Sequence, residues 1–110
     1  MKYYLYILLT VNNTLYCGIT NDLVKRYNAH LNKKGAKYTI SNPPQKIVYI
    51  DEFEDKSSAM KEEYRIKKTL KRAEKLDLIE KNKERTKKIF EKIFMIGLTQ
   101  KVLHGKIEKI

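Results

Sequence analysis

Residues 3–11, Tyr3-Tyr4-Leu5-Tyr6-Ile7-Leu8-Leu9-Thr10-Val11, form an unbroken series of aromatic, aliphatic and β-branched side chains. That composition suits a buried, pleated strand. Asn12-Asn13 follows as a turn, and Thr14-Leu15-Tyr16-Cys17-Gly18-Ile19 resumes the pattern, so the chain opens on a β-hairpin. Its register decides which side chains meet. A symmetric turn centred between Asn12 and Asn13 sends Tyr6 and Tyr16 to opposite faces, whereas an odd-length loop or a bulge aligns them. A site that uses both tyrosines requires the second arrangement.

Working outward, Asn21 or Asp22 is placed to cap a helix whose apolar positions Leu23, Tyr27, His30 and Leu31 follow the 3.6-residue period and which ends before Gly35. Residues 32–45, with Gly35 and Pro43-Pro44, read as a loop. Ile47-Val48-Tyr49-Ile50 reads as a third strand. Asp55 or Ser57 caps a helix over about 57–71, with Ala59, Met60, Ile66 and Leu70 as its apolar stripe. A lysine-rich helical stretch over 73–94 is interrupted by the polar run 80–88, and Gly97 is placed to end it. Residues 98–110 show no strong period. The expectation is an α+β fold: a small antiparallel three-stranded sheet flanked by helices over residues 1–80, with a basic, mainly helical C-terminal extension over 81–110.

At 110 residues and 42% hydrophobic content the chain fits one small domain with a modest core. The net charge of +11 is unevenly spread. Residues 1–55 hold 7 Lys/Arg against 5 Asp/Glu, and residues 56–110 hold 17 against 8. This asymmetry favours an anionic partner, nucleic acid ahead of an acidic membrane surface, with solvated lysine-rich helix as the plain alternative. One cysteine and two histidines exclude an internal disulfide and a structural zinc cluster. The short apolar N-terminus lacks a signal-peptide cleavage site and no run approaches a membrane span, so a cytoplasmic protein without membrane attachment is expected.

Glu63 stands out by pattern. Ala59, Glu63, Ile66 and Leu70 share one helix face, so a carboxylate interrupts an apolar stripe. Unpaired burial would cost several kcal/mol, which calls for a cation, either a metal or a side chain such as Lys67 at the edge of the stripe. On the first helix Leu23, Arg26, Tyr27 and His30 share a face. An arginine fork matches phosphate oxygens, and a histidine one turn on can bind phosphate or move a proton. The plain alternative is a surface arginine beside a structural histidine. Most of the eight tyrosines must serve packing.

The order Tyr4-Leu5-Tyr6, Tyr16-Cys17-Gly18, Asn21-Asp22-Leu23 with Arg26 and His30, Lys34-Gly35-Ala36-Lys37-Tyr38-Thr39, and Glu62-Glu63-Tyr64 through Lys67-Lys68 resembles the GIY-YIG nucleases, closest to their small stand-alone bacterial members. It departs from the family pattern at Tyr4 and Leu5, at Cys17, and at Ile19, where the family's excision-repair nuclease has a lysine. Cys17 between Tyr16 and Gly18 reads as a packed small hydrophobe. The resemblance implies metal-dependent endonucleolytic hydrolysis of phosphodiester bonds in DNA, structure-selective or nonspecific, in DNA repair or recombination. It implies one Mg²⁺ or Mn²⁺ ion on Glu63, Arg26 on the scissile phosphate, and Tyr6 or Tyr16 as the base, its pKa lowered by Arg26 or the metal. His30 is the proton relay or phosphate ligand. Gly18 lets substrate or helix backbone approach the strand, and Lys34 and Lys37 contact nucleic acid. The competing reading is a nucleic-acid-binding or assembly module of the same fold with little or no catalysis. A protein partner or self-association through the C-terminal helix is a further expectation.

Overall fold

The computed structural model describes residues 1–95. Strands β1 (Tyr3–Thr10) and β2 (Leu15–Thr20) are followed by helices α1 (Leu23–Leu31) and α2 (Lys37–Ser41) and by strand β3 (Pro44–Phe53). Helices α3 (Lys56–Thr69), α4 (Arg72–Lys81) and α5 (Lys83–Met95) complete the described chain. The sheet is antiparallel with order β2-β1-β3. The apolar run at residues 3–11 therefore becomes the central strand, covered on both faces, which is why it shows no alternation.

Strand pairing places Leu9 opposite Leu15 and Tyr6 opposite Gly18. The Thr10 amide donates to the Thr14 carbonyl at 2.9 Å, which leaves residues 11–13 as a three-residue loop. Asn13 takes the left-handed conformation such a loop needs, at φ 61. The loop is odd in length, so Tyr6, Tyr16 and Gly18 share a face.

One face of the sheet carries Tyr6, Leu8, Ile47 and Ile50 against Leu23 and Tyr27 of α1 and Ile89, Phe90 and Phe94 of α5. The other carries Leu5, Ile7, Cys17 and Tyr49 against Ile66 of α3, with Leu78 and Ile79 of α4 at the margin. Aspartates cap both principal helices: Asp22 accepts from the Lys25 amide at 3.1 Å and Asp55 from the Ser58 amide at 2.8 Å. On the outer edge of β3 the Ile50 amide donates to Thr86 Oγ1 of α5 at 3.1 Å, so α5 covers this edge.

Several expectations need adjustment. The loop at 32–45 contains α2, and the third strand is longer than Ile47–Ile50, beginning at Pro44. The helical stretch at 73–94 is two helices broken at Asn82, whose side-chain amide donates back to the Leu78 carbonyl at 2.8 Å. Met60, counted in the α3 stripe, is 50% exposed. Helix α1 ends with Lys33 at φ 60, its amide on the His30 carbonyl and the Lys34 amide on the Ala29 carbonyl, so Lys33 and not Gly35 makes the left-handed turn. Gly97 and residues 98–110 lie outside the described residues.

The expected boundary near residue 80 falls close to the α4–α5 junction, yet α5 builds the same core as the sheet. Phe94→Ala should accordingly cost about 3–5 kcal/mol of stability in urea denaturation. A loss below about 1 kcal/mol, the range of an ordinary surface change, would show that α5 contributes little.

Candidate active site at the edge of strand β2

Tyr6 is 1% exposed and its hydroxyl lies 2.7 Å from His30 Nε2. Arg26 Nε donates to the same oxygen at 3.3 Å. His30 is 0% exposed, and its Nδ1 lies 2.7 Å from Thr39 Oγ1, which in turn donates to the Ala36 carbonyl at 2.9 Å. This last bond fixes the protons by elimination. Thr39 spends its only hydrogen on Ala36, so it must accept from His30 Nδ1–H. The neutral ring then has a bare Nε2, which accepts the Tyr6 hydroxyl hydrogen, leaving the Tyr6 oxygen free to accept from Arg26.

Titration behaviour agrees with that assignment. Burial, followed by the charge of Arg26, lowers the His30 pKa to about 4, which keeps the ring neutral. Burial pushes Tyr6 up to about 12 in spite of the opposing hydrogen bond from Arg26. The expected lowering by Arg26 is thus outweighed at Tyr6 by desolvation. The chain Tyr6–His30–Thr39 ends on a backbone carbonyl, which accepts a hydrogen bond but does not carry a proton onward. Both His30 nitrogens are engaged, so the ring holds Tyr6 and does not reach out to phosphate.

Tyr16 is placed differently. It is half-buried and stacks on Tyr38 of α2, with centroids 5.9 Å apart and planes at 17°. Its ring also meets His30 edge-on at 5.3 Å and Tyr6 at 6.4 Å. The Arg26 pKa is raised, chiefly by its hydrogen bond to Tyr6, with smaller contributions from Tyr16. Arg26 thus holds the Tyr6 hydroxyl, and the Tyr6 ring in turn lies beside Tyr16. A shallow groove lined by Thr20, Asn21, Asp22, Lys25 and Arg26 opens beside it.

Glu63 approaches from the other face of the sheet. It pairs with Lys67 at 3.1 Å, with its own side chain 23% exposed. Lys67 Nζ also lies over the Tyr16 ring, 5.9 Å from the centroid. The cleft lined by Leu15, Tyr16, Cys17, Tyr38, Lys67 and Lys75 crosses the free edge of β2. Arginine and glutamate thus sit on opposite sides of one edge strand, joined through Tyr16 and Lys67. Among the described residues no group of three or more His, Cys, Asp or Glu gathers. A single carboxylate open to solvent is a donor set that fits Mg²⁺, which keeps most of its waters.

The glycines explain themselves by contact. A Cβ on Gly18 would come 2.7 Å from the Tyr6 hydroxyl, so what approaches the strand here is Tyr6, not substrate or helix backbone. A Cβ on Gly35 would come 2.5 Å from His30 Nδ1. Lys34 and Lys37 are exposed on the segment around α2. Cys17 is buried, and desolvation pushes its thiol up to about 12, which makes it inert packing. Tyr38, Thr39 and Gly35 belong to the assembly without having been assigned roles from sequence, although all three lie in a segment that carries the family resemblance, whereas Lys67 takes the place beside Glu63 expected of it. No described helix is long and apolar enough to cross a membrane.

The His30 environment makes a pH prediction. Between pH 6.5 and about 4 the unfolded imidazole takes up a proton that the folded one refuses. The stability contribution is complete above pH 6.5 and is lost as pH falls toward 4. Urea denaturation at pH 7 and pH 5 should show lower stability at pH 5, with a smaller difference in His30→Gln. An unchanged difference in the variant would remove His30 as its source.

A family model described as the GIY-YIG catalytic domain matches residues 2–77. A UPF0213 protein of Oceanobacillus iheyensis is 49% identical over 79 residues, covering 72% of this chain and 91% of that protein. One from Clostridium perfringens is 51% identical over 76 residues, covering 69% and 81% respectively. The solution NMR structure of a UPF0213 protein from Bacillus halodurans is similar with TM-score 0.51 and 36% identity, over 76% of this chain and 87% of that one. The names of these relatives state no activity. The matched span contains both hairpin tyrosines, Arg26, His30 and Glu63, and the chain belongs to the GIY-YIG family.

Proposed function

We propose that the protein is a divalent-metal-dependent endonuclease that hydrolyses phosphodiester bonds in DNA, in a structure-selective or nonspecific manner. The observation that carries this reading is a run of contacts across the edge of β2: Arg26 on the Tyr6 hydroxyl, the Tyr6 ring beside Tyr16, and Lys67, the partner of Glu63, over the Tyr16 ring. A cationic fork, a solvent-accessible phenol and a carboxylate disposed along one edge strand match the needs of an in-line displacement at phosphorus.

Arg26 binds the scissile phosphate, and its Nε bond to Tyr6 fixes the direction of the fork. Tyr16 is the base of choice because it is half-exposed, whereas the Tyr6 proton is committed to His30. In the proposed step a water oxygen bonds to phosphorus and its proton passes to the Tyr16 oxygen as the Tyr16 hydroxyl proton leaves to solvent. The phosphorus–oxygen bond to the leaving strand breaks, and the departing oxygen takes a proton from solvent. Lys67 sets positive charge against the Tyr16 ring. Glu63 would hold one Mg²⁺ or Mn²⁺, which supplies neutralisation of charge on the leaving oxygen. Tyr6, His30 and Thr39 act as positioning residues for Arg26. Lys34, Lys37 and the basic helices supply nonspecific phosphate contacts whose affinity falls with salt.

A test compares cleavage of labelled single-stranded, double-stranded and branched DNA, with Mg²⁺ or with chelator. Wild type should cut only with metal, and Arg26→Ala and Glu63→Gln should each lower the rate by roughly 100-fold or more. Binding without cleavage by all three proteins would favour the binding or assembly module instead. Gly18→Ala should also slow cleavage while leaving the fold intact by circular dichroism, because the new methyl displaces the Tyr6 hydroxyl. Full activity in that variant would show that the position of Tyr6 is unimportant.

A further inference from the structure

Helix α3 presents a second row of side chains next to Glu63 and Lys67. Lys56, Met60, Tyr64 and Lys68 follow one another at four-residue spacing, so they form one ridge about 18 Å long. Met60 and Tyr64 stand three residues before Glu63 and Lys67, the spacing of neighbours on a helix surface, so the ridge borders the candidate site. Tyr64 is 65% exposed and Met60 50%, unusual for large apolar side chains in so small a core. Lys68 Nζ lies over the Tyr64 ring, 6.0 Å from its centroid. Met60 and Tyr64 line a shallow groove with Lys56, Ser57 and Lys61. Beside this row, Glu62 pairs with Arg65 at 2.7 Å and Glu63 with Lys67.

We propose that this ridge is a stacking site for an unpaired base of single-stranded DNA, continuous with the candidate active site. The inference rests on the nuclease reading for its orientation, since it makes the ridge the track for the strand flanking the cleaved phosphate. An exposed aromatic face bordered by Lys56, Lys61 and Lys68 is the combination that holds single strands: the ring takes a base and the ammonium groups take the backbone. Duplex DNA hides its base faces and offers nothing to Tyr64. A second copy of this chain is disfavoured by the like charge of a +11 protein. A membrane is disfavoured because the ridge is one side chain wide, flanked by paired carboxylates.

Fluorescence anisotropy with a labelled oligothymidylate and with a duplex of equal length, both in chelator to prevent cleavage, tests this. Tyr64→Ala should weaken oligothymidylate binding roughly 5- to 150-fold, the range for loss of one stacked base. Duplex affinity should stay within about twofold, as expected when the phosphate contacts are unchanged. Tyr64→Trp, which keeps a stacking face, should bind like wild type. Unchanged binding in Tyr64→Ala, equal loss on both DNAs, or no binding of oligothymidylate by wild type would each overturn the proposal. Cleavage is read separately with Mg²⁺. Active protein with Tyr64-independent binding sinks the ridge alone, whereas Tyr64-dependent binding without cleavage sinks the nuclease reading and keeps the single-strand site.

Discussion

The β1–β2 register is the constraint from which the candidate site follows. A three-residue loop closed at Asn13 puts Tyr6 opposite Gly18, and with them Tyr16, on the face that α1 covers. Shift that pairing by one residue and Tyr16 and Gly18 turn to the α3 side, bringing the side chain of Cys17 or Ile19 against the Tyr6 hydroxyl. Gly18 protects the arrangement sterically, because no side chain fits between it and the Tyr6 hydroxyl. Gly35 does the same for His30 from the far side. The buried polar chain is fully satisfied, from Arg26 through Tyr6, His30 and Thr39 to the Ala36 carbonyl. A half-satisfied version would destabilise a core this small, so the chain behaves as a unit.

Two phenols in one cluster acquire different characters from burial alone. Tyr6 is enclosed, protonated and directed at a neutral imidazole. Tyr16 lies at the edge strand, sandwiched between the Tyr38 ring and the Lys67 ammonium, with solvent access. Under the proposed function, that division gives holding to Tyr6 and chemistry to Tyr16. It also explains how the site spans both faces of the sheet: β2 is an edge strand, so side chains from α1 and α3 can meet around it without passing through the core.

Much of the fold is legible in the sequence because composition and capping chemistry are local. The hairpin, the third strand and the aspartate caps at Asp22 and Asp55 follow from short-range patterns. What escaped depends on distance in the chain. Helix α2 has five residues and no apolar period, and it is held by Thr39 under His30. Gly35 looked like a helix terminator, yet Lys33 makes the turn and Gly35 answers to an imidazole. For the candidate site, the ordered motifs name Tyr6, Tyr16, Arg26 and His30, which the fold clusters, but which tyrosine is buried, and that Lys67 bridges Glu63 to Tyr16, are consequences of tertiary packing. Glu63 follows the plainer of its two readings, paired with Lys67 at the edge of the apolar stripe, and Lys67 in turn lines the cleft.

The central claim is that Glu63 and Arg26 serve one centre across the edge of β2. The most direct measurement is paramagnetic broadening of assigned NMR signals during titration with trace Mn²⁺. The account predicts broadening centred on Glu63, Tyr16 and Lys67 that reaches the Arg26 side chain and disappears in Glu63→Gln. Broadening centred on the acidic stretch from Asp51 to Asp55, with Glu63 and Tyr16 spared, would contradict it.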